Sequence, residues 1–230
     1  MSGMTTTLIT GANRGLGFEA ARRLIADGHE VWLGARDADR GRAAAEELGA
    51  RFVKLDVTDD ASVAAAADAV GALDVLINNA GIVGDRKPVL ETTADDIRRV
   101  YDTNVFGVVR VTRAFLPLLE HSDNPVIVNV SSGMGSIGVT SDTERLESTI
   151  VSLDYTSSKT AVNMITSQLA KALPGMRVNA VDPGYTSTDF NDHRGTQTVQ
   201  EGTDAIVRMA QIDQSGPTGT FTDRHNAVPW

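Results

Sequence analysis

The chain has 230 residues, of which 41% are hydrophobic and 22% charged, and its formal net charge is −9. This length and composition predict one globular domain, the acidic balance argues against a nucleic-acid surface, and no run reaches the roughly 18 apolar residues of a membrane span. The absence of cysteine excludes disulfides, thiolate nucleophiles and sulfur-ligated metals, and it fits a cytoplasmic location.

Short apolar segments alternate with helical patterns along the chain. The predicted strands cover residues 7–10, 30–35, 51–55, 75–78, 126–130 and 177–181. The predicted helices cover residues 15–27, 39–48, 61–70, 93–119, 155–173 and 203–212, and a closing strand and tail follow from residue 216. Nearly continuous apolar strands separated by helices are typical of a parallel sheet buried on both faces. We therefore predict an α/β fold over residues 1–230, a single Rossmann-type doubly wound parallel sheet with helices on both faces.

Two segments, 133–154 and 184–202, interrupt this alternation. Both are rich in Ser, Thr, Gly and Asp, and both follow the carboxyl end of a predicted strand, where ligands bind in open α/β sheets. We predict that they are substrate loops. The second is expected to order over cofactor and substrate, with Tyr185 or Phe190 touching the substrate. The alternative is an ordered segment that packs on the body and does not respond to ligand.

A glycine-rich turn separates the first predicted strand from the first helix. Gly11, Gly15 and Gly17 lie in the run Thr-Gly-Ala-Asn-Arg-Gly-Leu-Gly. Glycine allows a tight turn and close approach of the backbone to a phosphate, and the helix N-terminus favours the negative charge. Strand, turn and helix in this order at the start of a βαβ unit predict a dinucleotide site.

Tyr155 and Lys159 are four residues apart, so they share one face of a helix. A nearby ammonium favours the ionised form of a phenol, and we expect Lys159 to lower the pKa of Tyr155. Beside a dinucleotide site, this pair can move a proton while the cofactor moves a hydride. The combination predicts an oxidoreductase.

The order and spacing of these motifs resemble the short-chain dehydrogenase/reductase family, and in particular its carbonyl-reductase-like members. The resemblance covers the glycine turn, Asp56-Val57, Asn78 to Gly81, Asn104, Ser131-Ser132, Tyr155 with Lys159, and Pro183-Gly184 with Thr186 and Thr188. It implies four catalytic residues: Asn104, Ser132, Tyr155 and Lys159. Tyr155 is then the acid and base, Ser132 binds the substrate oxygen, Lys159 also holds the nicotinamide ribose, and Asn104 positions a water that supplies protons.

The resemblance also implies a set of cofactor contacts. Asp56 is expected to meet the adenine amino group, although a strand-ending turn is the alternative role. The full predicted set is Gly11, Asn13, Arg14, Gly15, Leu16, Gly17, Arg36, Asp56, Val57, Asn79, Ala80, Gly81, Tyr155, Lys159, Pro183, Gly184, Thr186 and Thr188.

The choice between NADP and NAD depends on the end of the second strand. An acid there would bind a ribose 2′-hydroxyl and repel a 2′-phosphate, but Ala35 occupies the position. Arg36 and Arg14 could grip a 2′-phosphate through charge-assisted hydrogen bonds. Asp37 is the competing acid, and we interpret it as the N-cap of the next helix. NADPH is therefore predicted over NADH.

The predicted activity is reduction of an aldehyde or ketone to an alcohol, or the reverse, on a small-molecule substrate, with no nucleic-acid or membrane partner. Two alternatives stay open: a 3-ketoacyl thioester reductase of fatty-acid or polyketide synthesis, and a non-catalytic dinucleotide-binding regulator. An oligomer is possible, but the long segment between Ser132 and Tyr155 puts the family's usual tetramer in doubt and leaves a dimer open. No metal site is predicted, because the histidines are scattered: His29, His121, His193 and His225.

Overall fold

The computed structural model describes residues 4–230, so the first three residues of the predicted domain lie outside the described part. Seven parallel strands form one sheet in the order β3-β2-β1-β4-β5-β6-β7. The strands are β1 (Thr6–Thr10), β2 (Glu30–Ala35), β3 (Arg51–Lys54), β4 (Val75–Asn78), β5 (Val126–Val130), β6 (Arg177–Val181) and β7 (Phe221–Thr222). The predicted doubly wound α/β fold is confirmed, and the direction of winding reverses between β1 and β4.

Helices cover both faces of the sheet. They are α1 (Gly15–Ala26), α2 (Ala38–Leu48), α3 (Asp60–Val70), α4 (Ala94–Tyr101), α5 (Gly107–Leu119), α6 (Ile137–Ser141), α7 (Leu153–Ala172) and α8 (Val199–Ala210). One apolar core, which includes Leu24 and Ile206, lies under α1, α2 and α8. The other includes Val63 and Phe115 and lies under α3 and α5. Two buried faces explain why β4 and β5 are buried along their whole length.

Three predicted elements differ from the structure. The helix predicted over 93–119 is interrupted by a π-helical turn, Asp102–Phe106, which separates α4 from α5. The helix predicted from residue 203 begins four residues earlier, at Val199, because Thr198 and Glu201 form a capping box. The closing strand is only two residues long, β7, and an antiparallel bridge from Thr222 to Ala227 joins it to the tail.

Buried amides run across the centre of the sheet. Asn78 of β4 donates from Nδ2 to Asn129 Oδ1 of β5 at 2.9 Å and to Thr112 Oγ1 of α5 at 3.1 Å. Asn129 Nδ2 in turn donates to Thr166 Oγ1 of α7 at 2.9 Å. Because each partner is buried, these bonds replace water contacts that the groups lose on folding. The ladder ties α5 and α7 to the strands whose ends carry the site.

Candidate active site

A cavity of about 870 Å³ opens at the carboxyl ends of the strands. This is the edge at which open α/β sheets bind ligands. Most of the predicted site residues line it, namely Gly11, Asn13, Arg14, Gly15, Leu16, Arg36, Asp56, Val57, Asn79, Ala80, Gly81, Ser132, Tyr155, Lys159, Pro183, Gly184, Thr186 and Thr188. Gly17 and Asn104 lie behind the lining.

The glycine turn fits a phosphate. Gly11 and Gly15 have φ values of 63° and 58°, which side-chain-bearing residues rarely adopt. A Cβ at Gly11 would also stand only 2.9 Å from Ala80 Cα. Arg14 takes the N-cap position of α1, and the first N–H groups of that helix have no side-chain acceptor within residues 4–230. Free N–H groups at a helix N-terminus can bind the pyrophosphate of a dinucleotide, so the residues of the turn fit this cofactor.

Gly17 has a packing role in the structure. A Cβ there would meet Asn79 Nδ2 at 2.6 Å and Ala12 Cα at 2.8 Å. The absence of a side chain therefore lets α1 lie against the β4 loop. Asn79 fixes the turn from the other side, because its Nδ2 donates to the Thr10 carbonyl at 2.8 Å. Gly17 therefore supports the residues that form the turn, and its direct contact with a cofactor stays a prediction.

Three arginines, Arg14, Arg36 and Arg40, line the part of the cavity next to the end of β2. Arg14 pairs with Asp189 at 3.3 Å, and Arg40, which the sequence analysis missed, pairs with Asp37 at 3.5 Å. Arg36 has no ion pair with a carboxylate in the described part of the chain. Asp37 caps α2 by accepting from Asp39 N and Arg40 N, so its interpretation as an N-cap is confirmed.

Asp56 ends the strand region with a turn while still facing the cavity. Its Oδ1 accepts from Thr58 N at 3.0 Å and from Thr58 Oγ1 at 2.7 Å. The alternative role as a turn residue is therefore present. Because Asp56 also lines the cavity, this turn is compatible with an adenine contact.

Ser131 and Ser132 follow β5 and make different contacts. Ser131 is buried, and its hydroxyl donates to Asn163 Oδ1 of α7 at 2.6 Å. Ser132 lines the cavity, and its Oγ accepts from Met134 N at 3.2 Å. The side chains of Ser132 and Tyr155 lie close together. Burial raises the pKa of Tyr155, and a hydrogen bond with Ser132 offsets part of this rise. Ser131 thus anchors the loop after β5, and Ser132 presents its oxygen to the cavity.

Tyr155 and Lys159 lie one turn apart on α7, with the ammonium 5.7 Å from the centre of the phenol ring. Lys159 is buried, and its Nζ donates to the Val130 carbonyl at 2.8 Å. Burial raises the pKa of Tyr155 to about 12 and lowers that of Lys159 to about 8. Burial thus holds the Tyr155 pKa above its ordinary value in the chain without cofactor, and the lowering expected from Lys159 stays a prediction for the loaded site.

Asn104 lies in the π-helical turn and holds the backbone beside the cavity. Its Oδ1 accepts from Ile82 N at 2.8 Å, and its Nδ2 donates to the Ile82 carbonyl at 2.9 Å and to Ser158 Oγ at 3.0 Å. π-Helical turns are common at functional sites, and this one turns the amide toward the strand-end loop. Both side-chain N–H groups are engaged, so its proposed role in placing a water stays a prediction.

The predicted loops form the outer wall. The first contributes Leu146, Ile150 and Val151, which are apolar and exposed. The second contributes Phe190, whose ring centre lies 5.9 Å from that of Tyr155. Arg86 reaches this second loop, donating to Asp192 at 2.9 Å and to the Phe190 carbonyl at 3.1 Å. The substrate end of the cavity therefore has an apolar rim beside the phenol.

Four acids in the cavity wall were missed by the sequence analysis: Glu147, Asp154, Asp182 and Asp189. Asp182 follows β6 and is 6% exposed, and Glu147 lies in a 3₁₀ turn of the first loop. The signal for Asp182 in the sequence was its position directly before Pro183-Gly184. Within residues 4–230, no group of three acidic or histidine side chains could hold a metal ion. No helix in the same range is long and apolar enough to cross a membrane.

Comparison with known proteins gives consistent matches over the whole site. The family model for short chain dehydrogenases matches residues 5–198. A (+)-neomenthol dehydrogenase of Arabidopsis thaliana is 35% identical over 94% of this chain and 95% of its own. The solved salutaridine reductase of Papaver somniferum has a TM-score of 0.82 at 29% identity, covering 95% of this chain and 99% of its own. The solved menthone neomenthol reductase of Mentha piperita has a TM-score of 0.80 at 30% identity, covering 98% and 100%.

Proposed function

Because the chain belongs to the short-chain dehydrogenase family, we propose that it is an NADPH-dependent oxidoreductase that interconverts a carbonyl group and an alcohol. The observation that carries this proposal is the convergence of Ser132, Tyr155 and Lys159 in the wall of one cavity that also contains the glycine turn. The glycine turn would hold the cofactor, and the apolar rim would receive the substrate beside the phenol.

The nicotinamide cofactor, when bound, supplies or accepts the hydride. The protein's residues handle the proton and the orientation of the oxygen. In the reductive direction Tyr155 donates its proton to the carbonyl oxygen, and Ser132 donates a hydrogen bond to the same oxygen. Lys159 presents an ammonium near the phenol, and its Nζ is also in reach of Gly81, since a Cβ there would stand 3.7 Å away. We therefore expect Lys159 to hold a ribose hydroxyl of the cofactor when it is bound.

The pKa of Tyr155 has to be lower in the cofactor-bound site than in the chain alone. A phenol with a pKa of about 12 is a poor proton donor and acceptor near neutral pH. Each pKa unit corresponds to about 1.4 kcal/mol, so bringing the phenol near 8 takes about 5 kcal/mol. A unit positive charge about 4 Å away contributes about 4 kcal/mol at an effective dielectric constant near 20. Lys159 is already in place in the chain whose phenol has this pKa, so the further lowering has to come from the positive charge of an oxidised nicotinamide, which is of about this size.

The proposed preference for NADPH rests on the residues at the end of β2, where we expect the adenosine of the cofactor to bind. Arg14, Arg36 and Arg40 line this part of the cavity, and Ala35 leaves no acid at the end of β2. Asp37 uses one carboxylate oxygen to cap α2 and faces Arg40 with the other, at 3.5 Å. An excess of guanidinium groups favours a 2′-phosphate over a 2′-hydroxyl.

The substrate class favoured by the rim is a neutral, lipophilic ketone. Leu146, Ile150, Val151 and Phe190 surround the approach to Tyr155. Two of the relatives are named for neomenthol, a cyclic alcohol, and one of these also for menthone, its ketone. An acyl-carrier substrate needs a basic rim, whereas the basic side chains of this rim, Arg86, Lys87 and Arg194, are each paired with a carboxylate. A non-catalytic regulator has no use for the Tyr155 and Lys159 pair. Reduction of a small ketone therefore stands ahead of both alternatives.

The test is NADPH consumption over a panel of cyclic ketones, aldehydes, quinones and 3-ketoacyl thioesters. Tyr155→Phe should lose at least about 100-fold in kcat on any substrate, the low end of a general acid's contribution, while NADPH still binds. Lys159→Ala should lose both turnover and cofactor affinity. Tyr101→Phe is the matched control, because this tyrosine ends α4 and packs edge-on against Phe106. A Tyr155→Phe enzyme with the wild-type rate refutes the proposed mechanism.

A further inference from the structure

Arg86 joins two loops of the cavity wall that are far apart in the chain. It belongs to the loop after β4, and its guanidinium donates to Asp192 at 2.9 Å and to the Phe190 carbonyl at 3.1 Å. Arg86 and Phe190 both line the cavity. The proposed mechanism uses neither of these contacts. They hold residues 189–194 of the second substrate loop from a separate part of the wall.

The loop that carries Arg86 is itself fixed to the body of the protein. Before Arg86, both backbone groups of Ile82 are bonded by the side chain of Asn104. After it, Lys87 donates to Asp96 of α4 at 2.8 Å, and Asp96 also belongs to the capping box of that helix. Arg86 therefore has an anchor on each side in the chain, and its guanidinium is a firm attachment point for residues 189–194.

The backbone is strained at both ends of the contact. Arg86, Asp192 and His193 have φ values of 52°, 56° and 56°, and they are the three non-glycine residues with positive φ in residues 4–230. Residues with a side chain rarely adopt this left-handed conformation, and they keep it where surrounding contacts hold the backbone in place. The ion pair joins two of these three residues directly. An ordinary surface ion pair does not need strained backbone at both ends.

The contact fixes the residue that faces the phenol. The Phe190 ring centre lies 5.9 Å from that of Tyr155, and the ring planes are 58° apart. An aromatic pair at this distance is attractive, but Phe190 is 38% exposed, so its surroundings enclose the ring only in part. The hydrogen bond from Arg86 holds the Phe190 backbone, from which the ring projects. The position of the ring beside Tyr155 therefore depends on Arg86.

One other ion pair joins residues 189–194 to the rest of the chain within residues 4–230. It connects Arg14 of the glycine turn with Asp189 at 3.3 Å, and both side chains are more than half exposed. The proposed NADPH site gives Arg14 a second partner, the 2′-phosphate. When Arg14 binds that phosphate, Arg86 is the guanidinium that still holds the segment.

We propose that Arg86 is a specificity-determining residue of the carbonyl-reduction site: by holding residues 189–194 against the loop after β4, it keeps the Phe190 ring beside Tyr155 and limits the width of the ketone that reaches the phenol. This inference rests on the proposed function. A ketone that is slender next to its carbonyl, such as cyclohexanone, fits beside the ring. A bulky group next to the carbonyl, as in 2-tert-butylcyclohexanone, meets a ring that is held in place. Arg86 acts through Phe190 and needs no contact with the substrate.

The first test compares kcat/KM for these two ketones. Arg86→Asn removes the guanidinium, and Asn tolerates a positive φ better than most residues, so the variant adds no backbone strain. The ratio of kcat/KM for the bulky over the slender ketone should rise about 10-fold or more, the discrimination that a pocket achieves on one small apolar group. Asp192→Asn breaks the ion pair from the other side. It should raise the ratio by less, because the bond to the Phe190 carbonyl remains, and it guards against a first variant that does not fold.

A double-mutant cycle separates action through Phe190 from a general structural effect. Phe190→Ala alone should raise the ratio at least as much as Arg86→Asn. Adding Arg86→Asn to Phe190→Ala should then change the ratio little, because the ring through which Arg86 acts is gone. Arg98→Asn is the matched control, since Arg98 pairs with Asp95 within α4 and does not line the cavity. A full further rise in the Phe190→Ala background overturns the inference, and so does an unchanged ratio in Arg86→Asn.

Amide hydrogen exchange tests the same contact without catalysis. The N–H groups of His193 and Asn191 donate to the Thr188 carbonyl at 2.9 and 3.1 Å, so their exchange reports on opening of the segment. In Arg86→Asn their exchange should become about fivefold faster or more, because an ion pair and a charge-assisted hydrogen bond are lost together. Arg98→Asn should leave it unchanged. Equal exchange in wild type and Arg86→Asn overturns the inference. A wild-type protein that reduces no carbonyl refutes the proposed function, while hydrogen exchange still decides whether Arg86 holds the segment.

Discussion

Replacing Arg36 by Ala tests the proposed preference for NADPH at the arginine that has no competing ion pair within residues 4–230. Arg14 and Arg40 are each paired with a carboxylate, so using them for a 2′-phosphate means weakening an existing ion pair. Arg36 carries no such cost within residues 4–230. It is therefore the guanidinium expected to contribute most to NADPH binding and least to any other property of the chain.

The magnitude follows from one charge-assisted hydrogen bond. Such a bond contributes about 1.5–3 kcal/mol, and Arg36 is exposed, so we take about 1.5–2 kcal/mol. The Kd for NADPH should then rise about 10- to 30-fold, while that for NADH stays within about twofold. The difference between the two cofactors should also shrink as salt is added, because exposed charges are screened.

The assay is calorimetric titration of wild type and variant with NADPH and NADH, and with the fragments 2′,5′-ADP and 5′-AMP. The fragments isolate the 2′-phosphate from the nicotinamide half. Arg42→Ala is the control, because Arg42 lies on α2, the helix that follows Arg36, but pairs with Asp39 at 2.7 Å and does not line the cavity. Equal weakening of NADPH and NADH by Arg36→Ala refutes the assignment. A wild-type preference for NADH gives the discriminating role to Asp37 instead.

Two other predictions concern neighbouring contacts. Asp189→Asn should release Arg14 from its exposed ion pair, which is worth up to about 1 kcal/mol, and tighten NADPH binding up to about fivefold; unchanged or weaker binding contradicts this. Gly17→Ala should lower the free energy of unfolding by about 1–3 kcal/mol, because the added Cβ meets Asn79 and Ala12. Gly175→Ala, with nothing within 4 Å of its Cβ, should be neutral in the same denaturant titration, and equal effects would disprove the packing argument.

The fold could be predicted because its signals are local. A strand buried on both faces is apolar almost throughout, and β4 and β5 show this directly in sequence. The break between α4 and α5 could not be predicted in the same way. The turn that makes this break carries Asn104, whose side chain accepts from Ile82 N and donates to the Ile82 carbonyl, 22 residues earlier in the chain. Periodicity reports which face of a helix is apolar, and it carries no information about a turn with one extra residue.

The candidate site shows the same limit at the level of chemistry. The positions of Tyr155 and Lys159 on one helical face follow from their spacing, but their proton affinities do not. Those depend on how completely folding removes water from each group and on what else faces them, such as Ser132 and Asp182. Arg40 and Glu147 were missed for a related reason, since nothing in their immediate neighbours distinguishes them from ordinary surface charges.

The amide ladder across β4 and β5 has a consequence for how the sheet assembles. Short strands of nearly uniform apolar composition can pair with little loss of burial after a slip along their neighbours. Asn78 faces Asn129 in the native alignment. A slip of β5 by one residue moves both amides away from their partners and leaves polar groups unbonded in an apolar interior. The two asparagines therefore specify the register of β4 and β5, because a sheet with a shifted register is less stable than the native one.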